Sequence, residues 1–307
     1  NNTAVGYHSL LANTTGDNNV AIGTEAGDAN TTGSDIVAVG RSALGANTTG
    51  NYNVALGRNA LLTNTTASNN TAIGNVALRL NTTGDSLTAV GAYALEQNTT
   101  ASNNVAVGFN CLAVNTTGTR NVAMGALALD ANTRAALSTG TTASYCTAIG
   151  FQALDLNSTG DNNTAVGYAA LDAATAYNNT AVGHNAGTSL STGHSNTFIG
   201  QGAGESITSG DTNIMIGHNV ENNSAGADSN IVIGNDVNGA GANTVRFGTP
   251  SGTATLNLDG SDTSWAAASD ERLKKDIADS TVGLNFIKAL RPVTFKWNSK
   301  NAIANTL

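Results

Sequence analysis

A serine and a lysine lie close together near the end of the chain, with a spacing that can support acyl transfer. Ser269 precedes Lys274 by five residues, so a turn or helical segment between them would let the hydroxyl and the amine approach. A serine hydroxyl is a weak nucleophile that needs a base, and a lysine amine is a base only when desolvation or a neighbouring cation lowers its pKa. Arg272 and Lys275 flank Lys274 and can supply that positive charge. This chemistry is therefore compatible with the spacing of Ser269 and Lys274.

The same residues also fit a purely structural role. Serine is a preferred N-cap residue, and acidic side chains in the first turn stabilise a helix through its dipole. Ser269 is followed directly by Asp270 and Glu271, as expected for the start of a solvated, charged helix. From the spacing alone this interpretation is the simpler one, so the choice depends on what the rest of the chain is.

The rest of the chain is built from a six-residue phrase that returns at nearly constant spacing. Residues 103–108 read Asn-Asn-Val-Ala-Val-Gly, and variants of this phrase end in glycines that lie 17 residues apart, with one interval of 25 and one of 16. A period in this range is typical of a solenoid, in which each repeat stacks on its neighbours. The phrase-closing glycines are Gly6, Gly23, Gly40, Gly57, Gly74, Gly91, Gly108, Gly125, Gly150, Gly167, Gly183, Gly200, Gly217 and Gly234.

Each repeat, here called a coil, predicts one short strand, a glycine turn and an outer corner. β-Branched residues alternate with small ones in the phrase, which is the period-two pattern of a half-buried strand. An Ala-Leu pair such as Ala94-Leu95 follows and can pack under the next coil, and Asn-Thr-Thr forms the corner. Fifteen such strands, the last at Val245–Phe247, would make a shaft about 70 Å long at about 4.8 Å per strand. The predicted fold class is an all-β parallel β-solenoid.

The corner asparagines recur at intervals of 17 from Asn13 to Asn115. Amides stacked in register can hydrogen-bond along the axis, so we expect a structural ladder. Two alternatives remain: Asn-x-Thr is also a glycosylation acceptor pattern, and a flat face of threonines can bind ice or polysaccharide.

Composition excludes several classes of protein. Only 5% of the 307 residues are aromatic and 11% are charged, so the core must be thin, and we expect an obligate homo-oligomer in which other chains supply further apolar burial. The net charge of −8 and the lack of a basic stripe predict no nucleic-acid partner. No apolar run approaches the ~20 residues of a membrane span, so we expect no membrane insertion in this segment. Because Asn1 begins inside a phrase, we expect a piece of a longer protein.

Few side chains of the repeats suggest chemistry. Cys111 and Cys146 each replace a repeat residue, so we interpret them as packing substitutions rather than as a disulfide. His184 and His218 each follow a closing glycine, but no second ligand lies at a fixed offset, so we expect no metal and no cofactor.

The stretched interval between Gly125 and Gly150 has no histidine, aromatic platform or pair of acids in its added residues, which favours a plain surface bulge over a ligand site. It offers only Asp130 and Arg134. A glycan-cleaving enzyme would need two acids about 5 to 10 Å apart. The acids of the repeats, such as Glu25, Asp85, Glu96 and Asp161, are scattered over different coils.

The strand phrase resembles the Asn-Ser-Val-Ala-Ile-Gly repeats in the heads of trimeric autotransporter adhesins, over roughly residues 1–248. That resemblance implies a β-roll around a threefold axis. The period of 17 is longer than is usual in those heads. Similar repeats also occur in bacteriophage tail fibres.

A second resemblance begins at Ser269. Residues 269–277, Ser-Asp-Glu-Arg-Leu-Lys-Lys-Asp-Ile, look like the opening motif of the endosialidase-type intramolecular chaperone family, and Gly283–Trp297 continue in its style. The family's C-terminal domain trimerises a fibre, helps its β-structure fold and then cuts itself off. The resemblance implies that Ser269 is the nucleophile, Lys274 the general base and Ala268-Ser269 the scissile bond.

These patterns predict three regions: a β-solenoid shaft at 1–248, a linker at 249–268, and the first part of a chaperone domain at 269–307. The last region is expected to be a short α/β segment, with a helix at Val282–Leu290 and a strand at Val293–Trp297. The predicted function is a homotrimeric tail-fibre shaft, on a virion or an extracellular appendage, that mediates attachment to a host-surface glycan or protein. The alternatives are a bacterial trimeric surface adhesin and, less favoured, a glycan-cleaving tailspike.

Overall fold

The computed structural model describes residues 1–130, 142–258 and 266–267, and none of these residues is helical. Strands β1 to β14 each pair in parallel with the next strand along the chain, so the parallel ladder runs from β1 to β15. The predicted parallel β-solenoid of 17-residue repeats is confirmed, with about 14 turns. The strands are β1 (Thr3–Val5), β2 (Val20–Ile22), β3 (Val37–Val39), β4 (Val54–Leu56), β5 (Thr71–Ile73), β6 (Thr88–Val90), β7 (Val105–Val107), β8 (Val122–Met124), β9 (Thr147–Ile149), β10 (Thr164–Val166), β11 (Thr180–Val182), β12 (Thr197–Ile199), β13 (Ile214–His218), β14 (Ile231–Asn235), β15 (Thr244–Thr249), β16 (Gly252–Asn257) and β17 (Ala266–Ala267).

The ladder keeps its register across both irregular intervals. Ala123 pairs with Ala148 across the 25-residue interval, and Ala165 pairs with Ala181 across the 16-residue one. The length changes are therefore absorbed outside the strands. Arg134 of the predicted surface bulge lies outside the described residues.

The middle residue of each short strand points into the solenoid. In β7 the side chain of Ala106 is buried, whereas Val105 and Val107 on either side of it are only half-buried. The alternation correctly predicts a half-buried strand, and the structure adds that the small residue faces the core. The interior is narrow enough at this point to accept only a methyl group, so the larger β-branched residues face outward.

Leucines fill the interior opposite the strands by adopting an unusual backbone conformation. Leu95 is buried and has a φ of 51°, and the equivalent leucine of most other coils has nearly the same value. The left-handed region costs a non-glycine residue roughly 1 kcal/mol, which burial of a leucine side chain, at about 2 kcal/mol, offsets. The leucine of each Ala-Leu pair therefore packs in the core as predicted, and its backbone is strained.

The corner asparagines form a ladder inside the solenoid. The Nδ2 of Asn81 donates to the Oδ1 of Asn64 at 3.0 Å, and Asn98 donates to Asn81 at 2.9 Å. The same bond joins successive asparagines from Asn13 to Asn115. The predicted ladder is confirmed, but its amides are buried rather than on an outer corner. A buried amide of this kind is not accessible for glycosylation in the folded chain.

A second column of asparagines precedes the strands. The Oδ1 of Asn104 accepts a hydrogen bond from the backbone N–H of Asn121 in the next coil at 2.9 Å, and its Nδ2 donates to the carbonyl of Gly118 at 2.8 Å. Each such amide links its coil to the backbone of the next coil. Because these groups are buried, every bond also satisfies a polar atom that water cannot reach.

The sheet continues beyond the last coil as a hairpin. Strand β16 pairs antiparallel with β15, and β17 pairs antiparallel with β16. Both added strands lie within residues 249–268, for which the sequence predicts a linker. The solenoid unit extends over Asn1–Ala268.

Towards the C-terminal end of the solenoid, larger side chains fill the core. Phe198 takes the place of the inward alanine in β12 and is fully buried. Its ring fits because Gly187 and Gly204 replace the interior leucines of the coils around it. A Cβ at either glycine would lie 2.6 Å from the ring.

We expect Phe198→Ala to lower the free energy of unfolding by about 3 kcal/mol, because it leaves a cavity where the ring packs. Restoring the leucines of the other coils in the triple variant Phe198→Ala/Gly187→Leu/Gly204→Leu should recover most of this loss. The measurement is the thermal unfolding midpoint of each variant at one protein concentration. A triple variant no more stable than Phe198→Ala would contradict the explanation that the Phe198 ring fills the space of the two missing leucine side chains.

Candidate functional site

The predicted nucleophile Ser269 and the predicted base Lys274 lie outside the described residues. The same holds for the flanking cations, for the Ala268-Ser269 bond and for the predicted helix and strand that follow. Their roles therefore stay predictions. The described residues present two other surfaces of functional interest, the outer face of the strands and a pocket beside Phe109.

The outer face of strands β1 to β14 carries an unbroken row of apolar side chains at the third position of each strand. The first and third residues of β1 to β12 face outward. In all strands from β1 to β14, the first and third positions hold only Val, Ile, Thr, Leu and Met. Ile22, Met124 and Ile199 each expose about two fifths of their surface, at 42%, 43% and 39%. A row of exposed apolar side chains of this length usually marks an interface. The alternation in the sequence predicts one buried face but does not tell which one it is.

A pocket of about 360 Å³ lies beside Phe109. The rings of Tyr93 and Phe109 meet edge to face with their centroids 6.0 Å apart, and both are exposed. They form an apolar wall next to hydrogen-bonding groups. The polar side chains that line the pocket are those of Glu96, Gln97, Asn110 and Asp130.

Asp130 is buried at the inner end of this lining, with 4% of its surface exposed. The backbone N–H of Ala113 hydrogen-bonds to its carboxyl group, whereas its Oδ1 has no hydrogen-bond partner among the described residues. Burial, and secondly the charge of Asp155 in the next coil, raise the pKa of Asp130 to about 7. Near neutral pH this carboxyl can therefore accept or donate a hydrogen bond.

Among the described residues, the carboxylate of Glu96, unlike that of Asp130, is paired with a positively charged side chain. Arg79 in the preceding coil contacts its Oε1 through Nη2 at 2.7 Å and through Nε at 3.1 Å. The sequence places Glu96 among acids scattered over different coils and assigns Asp130 to a surface bulge. The structure brings both side chains to one pocket, because positions 17 residues apart lie above one another.

Flat rings stack along another part of the surface. Phe151, Tyr168 and His184 each follow a closing glycine, and their rings stack with centroids 5.5 and 4.9 Å apart. His218 pairs instead with Asp236 at 3.3 Å. In residues 1–130 and 142–258, no group of three His, Cys, Asp or Glu side chains is placed to hold a metal ion.

The two cysteines are buried and free, as expected for packing substitutions. Burial raises the pKa of Cys111 to about 12 and that of Cys146 to about 11. Both thiols are therefore protonated at neutral pH and are poor nucleophiles.

Comparison with known proteins identifies the end of the chain. Residues 269–306 match the family model for the chaperone of endosialidase. The match begins at Ser269, where the motif resemblance also begins, so that resemblance is confirmed. No curated protein and no solved structure matches the chain. Within the described part of the chain, there is no helix long and apolar enough to cross a membrane.

Proposed function

We propose that the chain forms the shaft of a homotrimeric tail fibre that attaches to the surface of a host cell, and that its C-terminal segment assembles the trimer. The observation that carries this proposal is a β-solenoid of about 14 turns followed directly by a match to the chaperone of endosialidase. This combination fits a phage tail fibre-like protein. The chain would work on a virion or a similar extracellular appendage.

A chaperone at this position has a clear physical use. Nearly identical coils can pair one repeat out of register, since most coils carry the same inward alanine and the same asparagines. Pairing between distant or separate strands is also slow. A nucleus that holds three C-termini together aligns the chains before the repeats pair, so a slipped assembly is avoided.

The outer strand face supports lateral association of the shafts. It measures roughly 70 Å by 10 Å, or about 700 Å² per chain and about 2,000 Å² for three chains, which reaches the range of obligate interfaces. Its outward positions in β1 to β14 carry no charged side chain. We propose that this face lies against the two other chains, and that the number three follows from the chaperone segment.

The C-terminal segment also carries the proposed self-cleavage. Ser269 would act as the nucleophile and Lys274 as the general base, and the cut would fall between Ala268 and Ser269. Release of the segment after assembly would leave the aligned shaft without its chaperone. No other catalysis is proposed for the shaft.

The interface is tested by placing charge on the strand face. We expect the protein with the wild-type strand face to be a trimer, with about three times the 30.7 kDa mass of one chain while the chains are uncut. The double variant Val90→Lys/Val107→Lys should fall to a monomer or aggregate. Burying two ammonium groups per chain without partners costs several kcal/mol per group. The measurement is molar mass by light scattering after size-exclusion chromatography.

The matched control is Thr100→Lys/Thr117→Lys, which adds the same charge to the same two coils at exposed positions. This control should keep the wild-type mass. A monomeric wild-type protein, or a trimer that tolerates the strand-face lysines, would refute the proposed interface.

A further inference from the structure

We propose that the pocket beside Phe109 binds an uncharged saccharide unit of a surface glycan. This inference rests on the proposed attachment function and gives it a site on the shaft. The pocket combines an exposed aromatic wall, amide side chains and a buried carboxyl group within about 360 Å³. Ligand sites commonly join an apolar wall to a few well-placed polar groups.

The aromatic wall suits the apolar face of a sugar ring. Phe109 exposes 53% of its surface and meets Tyr93 edge to face. Such rings offer a large apolar area, and the partial negative charge of their faces attracts the polarised C–H groups of a pyranose. An exposed pair of rings in a chain with 5% aromatic residues is therefore a suitable platform for a saccharide.

The polar lining suits hydroxyl groups. Asp130 is buried, yet its Oδ1 has no hydrogen-bond partner among the described residues. A buried oxygen left without a partner is costly, and a hydroxyl that donates to it would remove that cost. Gln97 and Asn110, which line the same pocket, can both donate and accept, as sugar hydroxyls require.

The charged side chains around the pocket favour uncharged sugars over acidic ones. Among the described residues, the lining of the pocket holds two acids and no Lys or Arg, and Arg79 is paired with Glu96 at 2.7 Å. An acidic sugar would bring a further negative charge towards Asp130, and none of these lining residues carries a positive charge to meet it. The chemistry therefore favours an uncharged hexose or N-acetylhexosamine unit.

The proposed trimer leaves these residues available. None of the lining side chains belongs to a strand, so the pocket and the outer strand face use different residues. A ligand can thus bind to the assembled shaft.

The test is calorimetric titration of the intact trimer with neutral tetrasaccharides of glucose, galactose, mannose and N-acetylglucosamine, and with a tetramer of galacturonic acid as the charged probe. We expect at least one neutral probe to bind and the acidic probe not to bind. Phe109→Ala and Asp130→Ala should each weaken binding by about tenfold or more.

The matched control is Phe151→Ala, because Phe151 is an exposed phenylalanine that also follows a closing glycine but lies outside the pocket. The Phe151→Ala variant should bind the neutral probe with the same affinity as the wild type. The inference is overturned if no neutral probe binds at millimolar concentration, if the acidic probe binds best, or if both pocket variants bind like the wild type. Any of these results with an intact trimer leaves the proposed fibre function standing, whereas loss of the trimer in the wild type counts against the function itself.

Discussion

Replacing Ser269 with alanine should leave the full-length gene product as one uncut chain, whereas the wild-type product should separate between Ala268 and Ser269. The serine is the only nucleophile in the proposed reaction, so its removal should lower the cleavage rate by more than about a thousandfold. The measurement is the mass of the denatured chains and the N-terminal sequence of the smaller fragment, which should begin at Ser269.

The expected effect follows from the bonds that change. In the proposed reaction the amine of Lys274 takes the proton of the Ser269 hydroxyl, and the oxygen attacks the carbonyl carbon of Ala268. The C–N bond breaks, the Ser269 nitrogen takes the proton back from the lysine, and an ester joins the two parts. Water then hydrolyses this ester, which gives the Ala268 carboxylate and the free Ser269 hydroxyl. The neutral lysine that this sequence requires is available only if its pKa is lowered.

Two further variants separate this chemistry from a loss of folding. Lys274→Arg keeps the positive charge but cannot act as a base, so it should also remain uncut. Ser280→Ala removes another serine of the matched segment and should be cut as in the wild type. Uncut Ser269→Ala protein should still be trimeric, since in the proposed order of events assembly precedes cleavage. Identical fragments from the wild type and Ser269→Ala would disprove the assignment.

Much of the shaft could be predicted from periodicity alone. Closing glycines 17 residues apart require equivalent residues to stack, and the parallel register of Ala89, Ala106 and Ala123 follows from that spacing. Corner asparagines such as Asn81 had to fall above one another for the same reason. These features depend only on the repeat, so a single sequence contains them.

Other features depend on the cross-section of a coil, which periodicity does not describe. The left-handed φ of Leu95 is unfavourable locally and is adopted because the chain must turn its side chain inward within a 17-residue circuit. The inward position of Ala106 likewise follows from a narrow interior rather than from hydrophobicity. Propensity and hydropathy both favour the opposite orientation, with valine inside.

The pocket was harder still to predict. Tyr93, Phe109 and Asp130 come from three successive coils and lie 16 and 21 residues apart, so no local motif links them. A stacked alignment of the repeats could have found them, because it places irregular residues of neighbouring coils side by side. The proposed catalytic pair differs in this respect, since Ser269 and Lys274 lie within one short motif that can be found in the sequence alone.

Gly108→Ala should be among the most destabilising single substitutions in the shaft. The glycine has a φ of 145°, and a Cβ there would lie 2.4 Å from the carbonyl oxygen and 2.6 Å from the carbonyl carbon of Gly125 in the next coil. Both atoms belong to the backbone, so the clash cannot be relieved by a side-chain rotation. Relief requires the two coils to separate, which breaks the strand ladder between β7 and β8. We expect a loss of at least about 4 kcal/mol, or a fall of about 10 °C or more in the unfolding midpoint.

The matched control is Gly45→Ala in an earlier coil. A Cβ at Gly45 would lie no closer than 3.3 Å to any neighbouring atom, and one of those neighbours is the end of the flexible Leu62 side chain. The free energy of unfolding of this variant should lie within about 1 kcal/mol of the wild-type value, since the glycine is lost without a backbone atom closer than 3.3 Å to the new Cβ. In a repeat array each coil contacts only its neighbours. Separating two adjacent coils therefore divides the solenoid into two shorter solenoids. Equal midpoints for Gly108→Ala and Gly45→Ala would therefore mean that the closing glycines do not set the distance between coils.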